Sequence, residues 1–285
     1  MVAQVSVIEA EEADRPKIRD FLKRNLIIHQ HLDWRAPLDW VGQSPFLLLE
    51  KRNHIQSLLA CPPEPKSVYW IRILATLFTV PIEESFETIF PIALENIKNT
   101  DKSAVVLSIA YQDWMKHLLE KFGWEACHQV VQLRWERSNS LIMDVSLPEK
   151  IQIRPMEIAD IQQVALIDKA SFEPIWQHSE DSLLRAFHQP TYCTVADKGG
   201  IAIGYQITTL QRDRAHIARL AVMPTYQESH VGLSLVADVL SQFKDPATRE
   251  ISVNTQDNNL KSLGLYKKLG FEFTEGNFPI YICKD

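Results

Sequence analysis

This chain lacks an excess of positive charge, any paired cysteines and any long apolar run, and each absence excludes a class of protein. Lys and Arg together number 30 against 36 Asp and Glu, a formal net charge of −6. A duplex nucleic-acid partner is therefore not expected, because displacing counterions from phosphates needs a basic face. Four cysteines, Cys61, Cys127, Cys193 and Cys283, are far apart with no Cys-x-x-Cys, so neither a zinc cage nor a disulfide framework is indicated. His29-Gln30-His31 has no carboxylate or thiol at ligand spacing, and no metal site is expected. No segment approaches the roughly 20 apolar residues that span a bilayer. The first ten residues carry no basic stretch followed by an apolar one. The expectation is a soluble cytoplasmic protein with no nucleic-acid or membrane partner.

What the chain does contain is an internal repeat. Ala13-Asp14 answers Ala159-Asp160, Glu50-Lys51 answers Asp197-Lys198, Arg72 answers Arg219, and Phe122-Gly123-Trp124 answers Leu269-Gly270-Phe271. All four matches keep nearly one offset, which marks two copies of one fold. The expected organisation is a first domain over 1–136, a linker over 137–149 containing Ser138-Asn139-Ser140 and Pro148, and a second domain over 150–285.

The second half reads as a strand at 151–153, a helix carrying Ile161, Val164 and Ala165, and a further helix after Trp176. A hairpin turning at Asp197-Lys198-Gly199-Gly200 and a strand from Ala215 to Met223 follow. Leu235, Val236, Val239, Leu240 and Phe243 form a helical stripe; after it come a strand at 250–253, a helix at 260–268 closed by Gly270, and two short strands at 271–273 and 280–283. The fold class is α/β, two tandem domains that are each a mixed, mostly antiparallel sheet with helices on both faces. In the first half, strands are expected near Phe46, Ile55 and Trp70 and a helix over 85–97.

Two constellations in the second half suit chemistry. Tyr226-Gln227-Glu228-Ser229-His230-Val231-Gly232 leads from a strand into a helix, where unpaired N–H groups and the helix dipole favour an anion, and where an ordinary turn is the alternative. Asn259, Ser262 and Tyr266 stand at i, i+3 and i+7, so an amide, a hydroxyl and a phenol share one stripe; the alternative is a helix cap and a core aromatic.

With these motifs, the second half resembles the GNAT superfamily of N-acetyltransferases. Leu220-Ala221-Val222-x-Pro224 followed by Gln227 through Gly232 is similar to that family's acetyl-CoA segment, Gln/Arg-x-x-Gly-x-Gly/Ala. Asn259-x-x-Ser262-x-x-Leu265-Tyr266-x-x-x-Gly270-Phe271 is similar to its second motif, and Ser171-Phe172-x-Pro174-x-Trp176 to the acceptor-side segment of its protein N-terminal branch. The resemblance implies direct acetyl transfer from acetyl-CoA to a small-molecule or peptide amine. It implies pyrophosphate held by backbone N–H groups of Glu228, Ser229, His230, Val231, Gly232 and Leu233. It further implies pantetheine along Leu220, Ala221 and Val222 and against Asn259 and Ser262, with Tyr266 as the acid for the departing thiolate.

The sequence departs from the pattern at three places. His230 replaces the first motif glycine, Glu228 and Ser229 replace small or basic residues, and Asn254 stands where many relatives carry a glutamate base. Either a water relays the proton or another group takes it; His216 is the candidate base, since an unperturbed imidazole titrates near neutrality, with a satisfied strand histidine as the alternative. Arg219 and Trp176 are expected on the acceptor side, Arg219 to read a carboxylate. Subtracting the offset places Leu119 under Tyr266, Gln112 under Asn259, and the glycine-free stretch Val80–Ser85 under the phosphate loop. The first half is thus expected to be a degenerate copy. Its stretch His31 to Trp40, with Asp33, Trp34, Asp39 and Trp40, suits either a cationic acceptor or a packed loop. A degenerate acyl-CoA-binding or scaffolding protein is the alternative to an enzyme.

Overall fold

The computed structural model describes residues 5–136, 150–189, 191–243 and 249–284, so the expected linker at 137–149 lies outside the described residues. The chain divides into two compact units, Met1–Cys127 with Pro279–Asp285, and His128–Phe278. Relative to the domain limits expected from sequence, 128–136 count with the second unit and the last seven residues with the first.

In the first unit the elements are β1 (Val5–Glu9), α1 (Arg15–Phe21), β2 (Leu26–Gln30), β3 (Phe46–Lys51), β4 (His54–Ala60), β5 (Val68–Trp70), β6 (Ile73–Leu77), α2 (Ile82–Thr100), β7 (Val105–Ile109) and α3 (Asp113–Lys121). After these, β8 (Glu125–Glu136) begins. One sheet runs β1-β3-β4-β6-β2 and is covered on both faces. Leu47, Leu49 and Leu59 pack under Phe86, Ile89 and Ala93 of α2, while Phe46, Leu48 and Leu58 pack with Ile18 and Phe21 of α1 and with Trp40. Burial on both sides explains why β3 reads as an unbroken apolar run and not as an alternation. The helix expected over 85–97 starts earlier, immediately after Pro81, and runs three residues further.

The second unit takes 128–136 of β8 and then β9 (Ile151–Pro155), α4 (Ile161–Ser171), α5 (Glu180–His188), β10 (Thr191–Lys198), β11 (Ile201–Gln211), β12 (Arg214–Val222), α6 (Val231–Gln242), β13 (Glu250–Gln256), α7 (Leu260–Lys268) and β14 (Glu272–Ile282). Its sheet order is β14-β8-β13-β12-β11-β10-β9. Leu233, Val236 and Val239 of α6 and Leu263 and Tyr266 of α7 cover Ile217, Ile251 and Val253.

The two strands expected at the carboxyl end are one strand, β14. Gly276 keeps the pairing intact where a side chain would not, because a Cβ there would meet Gln132 Cβ at 3.1 Å. Its last residues belong to the first unit, Ile280 opposite Ile109 and Tyr281 opposite Ser108 on β7. Conversely β13 is flanked by Val130–Glu136 of β8. Each half therefore lends a strand segment to the unit built mainly from the other.

Ile280 is fully buried at this exchange. Ile280→Ala is expected to cost ~2–5 kcal/mol, the usual range for truncating a core isoleucine. Urea unfolding of the full chain checks this, and an unchanged midpoint would mean that 279–285 contributes nothing to the first unit.

Candidate active site

The site begins with a register break. β12 pairs antiparallel with β11, but Thr208 faces Ile217 and Ile207 faces Arg219, so Ala218 is extra. A bulge of this kind bends and twists its strand. On its other side β12 pairs in parallel with β13 only from Arg214↔Glu250 to Ile217↔Val253, although the two strands continue to Val222 and Gln256. Beyond that point β12 stays paired with β11, but on the side facing β13 no strand pairs with Ala218–Val222 among the described residues. Unpaired main-chain donors and acceptors on such an edge are a template for an extended ligand.

The corresponding edge in the first unit is filled. β5 pairs in parallel with β7, Arg72 follows, and β6 then carries on with β2 laid against it from Ile73↔Gln30 to Leu77↔Leu26. The chain's own segment Leu26–Gln30 thus fills, beside β6, the counterpart of the place left open beside β12.

At the far end of β12 the loop leads into α6. Gln227 Nε2 donates to Val222 O at 3.1 Å and Ser229 Oγ to Tyr226 O at 2.6 Å. His230 is the residue before the helix and lies in the left-handed region with φ 66°, as does Glu228 with φ 65°. The first bond of the helix runs from Ser234 N to His230 O, and among the described residues none of the N–H groups from Glu228 to Leu233 donates to a backbone carbonyl. The imidazole of His230 is exposed and does not fill the cleft. Glu228 points to solvent and pairs with Lys261 at 2.9 Å, both side chains being mostly exposed. Gly232 serves packing more than ligand access: a Cβ there would meet Leu265 Cδ1 at 3.1 Å and Val222 Cγ2 at 3.6 Å.

On α7, Asn259 caps the helix, its Oδ1 accepting from Ser262 N at 3.2 Å. Ser262 is half-buried one turn on. Tyr266 is buried in the cluster of Leu133, Val253 and Phe271, its ring 5.4 Å from that of Phe271. The hydroxyl has no hydrogen-bond partner among the described residues. Burial raises its pKa, which keeps the phenol protonated.

Two expectations are corrected here. His216 is not poised near neutrality: desolvation pushes its pKa down to about 4, and Nδ1 is paired with Ser252 Oγ at 2.9 Å. Arg219 is not free to read an acceptor carboxylate, because Asp168 of α4 already holds its guanidinium at 2.7 Å. The same arginine donates to Trp176 O at 2.6 Å and lies 3.5 Å above the Phe172 ring. Asp168, fully buried, also accepts from Tyr205 Oη at 2.5 Å and His178 N at 2.8 Å; the opposing charge of Arg219 helps hold its pKa low against desolvation. Trp176 is half-buried at this network, its ring 5.7 Å from His128.

In the first unit, the stretch 31–40 is packed and not an acceptor site. Trp40 is buried beneath the guanidinium groups of Arg35 and Arg72, at 4.5 and 4.9 Å, and Asp33 is bound to Arg72 at 3.2 Å.

Comparison with known proteins agrees with this geometry. Residues 161–271 match the Acetyltransferase (GNAT) family. N-alpha-acetyltransferase 30 of Saccharomyces cerevisiae is 28% identical over 145 residues, 47% of this chain and 82% of the relative. A GCN5-related N-acetyltransferase from Sphaerobacter thermophilus superimposes with a TM-score of 0.61 at 13% identity, covering 98% of this chain and 95% of its own. A tandem GNAT protein from the clavulanic acid biosynthesis pathway gives 0.65 at 10% identity, covering 98% of both chains. The second half thus matches the GNAT family over 161–271, and the likeness of fold to GNAT structures, one of them a tandem, extends over nearly the whole chain.

Two outcomes follow from the strained loop and the buried imidazole. Replacing His230 with glycine removes a left-handed side chain, so His230→Gly is expected to raise stability by ~0.5–1 kcal/mol after the entropy of glycine is counted; a lower melting temperature would refute the strain. For His216 the folded pKa lies below the unfolded 6.5. The unfolded chain therefore takes up a proton first, and stability falls as pH drops from about 6.5 to about 4. His216→Gln is expected to lose that part of the fall, as read from urea midpoints at pH 7 and 4.5.

Proposed function

We propose that the second unit transfers an acetyl group from acetyl-CoA directly to the amine of a small molecule or peptide, and that the first unit has no acyl-donor site. The carrying observation is the β13-facing edge of Ala218–Val222, which has no pairing strand and leads to six N–H groups without backbone acceptors among the described residues at the start of α6. These features fit the donor. Backbone of Leu220, Ala221 and Val222 suits the amide-bearing pantetheine arm, and the N–H groups of Glu228–Leu233 suit the pyrophosphate. Gln227 anchors the loop through Val222 O, and Asn259 and Ser262 border the arm from the start of α7. The donor supplies a thioester already activated toward amines.

In this reading Tyr266 delivers a proton to the departing sulfur. Its position on α7, its protonated state and its unpartnered hydroxyl suit that role. Trp176 borders the acceptor side. Arg219 acts as a positioning residue, holding the Trp176 segment through its carbonyl. The first unit keeps the packing of the fold, but β2 closes its slot, Leu119 stands for the phenol, and Pro81 begins the helix where the phosphate loop would lie.

Calorimetric titration with acetyl-CoA is expected to give one site per chain, and no binding at millimolar donor would end this reading. Tyr266→Phe is expected to lower turnover at least tenfold, within the ~10²–10⁴ range typical of general acids, with donor affinity kept. An unchanged rate would make the phenol a core residue only.

A further inference from the structure

Asn254 occupies the point where β12 and β13 part. It follows Val253, the last residue of β13 paired with β12, and on its other side it faces Gln132 of β8. Its Oδ1 is buried and has no hydrogen-bond partner among the described residues. A buried acceptor left unmade costs free energy, and a donor arriving with a ligand would recover it. An amide oxygen accepts a hydrogen bond but takes up no proton.

The groups around it are committed elsewhere. His216 and Ser252 are paired with each other. Glu250 is tied to Arg134 and Arg214, and Arg134 also to Glu136. Gln132 Oε1 accepts from Thr274 Oγ1 at 3.2 Å, and Glu272 on the same strand is exposed. Asp168 is enclosed by Arg219 and Tyr205. His128 lies four residues along β8 from Gln132, ~13 Å at strand rise, against Trp176. Glu250, Asp168 and His216 are thus paired, Glu272 and His128 lie on other parts of β14 and β8, and among the described residues no base stands at the position of Asn254 itself.

We propose that Asn254 receives, through Oδ1, an N–H of an acceptor amine whose neutral form is appreciably populated at pH 7: a peptide α-amine, an amino sugar or an arylamine, and not an alkylammonium such as a lysine side chain or polyamine. The inference rests on the acetyl-transfer reading. The nitrogen lone pair forms the C–N bond while the C–S bond breaks. Tyr266 gives its proton to sulfur, and the proton lost by nitrogen restores the phenol, so a neutral amine needs no net base. An alkylammonium must first lose one more proton, which nothing at this position accepts. At pH 7 an α-amine with pKa near 7.8 is neutral roughly a few hundred times more often than an ε-amine with pKa near 10.4.

The test uses the full chain with acetyl-CoA and five acceptors: a peptide amide with a free α-amine, glucosamine, an arylamine, N-acetyl-lysine amide and spermidine. At least one of the first three is expected to exceed the last two in kcat/KM about 100-fold at pH 7, and the leading arm names the acceptor class. The pH profile should level at each acceptor's own pKa. A second readout needs no turnover: in buffers of differing ionisation enthalpy, N-acetyl-lysine amide binding to the protein with free coenzyme A should release about one proton at pH 7. Asn254→Glu is expected to narrow the gap between α- and ε-amines at least tenfold. Lysine derivative or spermidine matching the others, one pH break common to all acceptors, binding without proton release, or an unchanged gap in Asn254→Glu would each overturn the proposal. No transfer to any of the five would instead overturn the acetyl-transfer reading.

Discussion

The buried pair between Arg219 and Asp168 is the constraint on which the site depends. Arg219 comes directly after the bulged Ala218, and Asp168 belongs to α4, so the pair ties β12 to the helix side just where β12 leaves β13. Two desolvated charges are expensive, and the cost is offset only when the remaining donors and lone pairs are used. Here they are: Asp168 accepts from Arg219, Tyr205 and the His178 backbone, while the guanidinium also meets the Trp176 carbonyl and the face of Phe172. Held this way, the strand end does not close on its parallel neighbour. The side of Ala218–Val222 that faces β13 without a pairing strand begins at that tether.

The first unit uses the same position differently. Arg72, the repeat counterpart of Arg219, is buried against Asp33 and the Glu64 carbonyl, and it too stands where the strand breaks away from its parallel partner. The carboxylate comes from a different element, so the arginine was kept while its partner changed. What differs is the neighbour beyond the break, since β2 completes the hydrogen bonding of β6. A sheet edge satisfied by the chain itself has little to offer an extended ligand. The two halves share packing and a buried cation, and they part in whether the opening after the cation is filled.

Local signals made much of this legible in the sequence. The helical stripe of α6, the Asp197–Gly200 hairpin and the Asn259-Ser262-Tyr266 spacing depend on residues a few positions apart, and the elements lie where that spacing puts them. What could not be read was non-local. Leu26–Gln30 is a β-prone run, but nothing nearby says that it pairs with Ile73–Leu77. The merger of the last two strands into β14, with its end beside β7, likewise depends on residues more than 160 positions away. The roles first read into His216 and Arg219 assumed ordinary surroundings. Each changed once the partner was known, a serine in one case and a buried aspartate in the other.

The loop before α6 shows how far a motif can drift while its geometry holds. Glu228 and His230 both adopt positive φ without being glycine, a conformation that costs of order 1–3 kcal/mol each. The Glu228–Lys261 pair is too exposed to offset much of that. The fixing contacts are instead Gln227 on the Val222 carbonyl, Ser229 on the Tyr226 carbonyl and Ser234 on the His230 carbonyl, one on each side of the turn and one within it. They hold the backbone in a shape that glycine would take more easily, and the N–H groups of the turn stay without backbone acceptors among the described residues. Since main-chain donors bind an anion whatever side chain their residue carries, a histidine at position 230 alters the cost of the loop without removing its N–H groups.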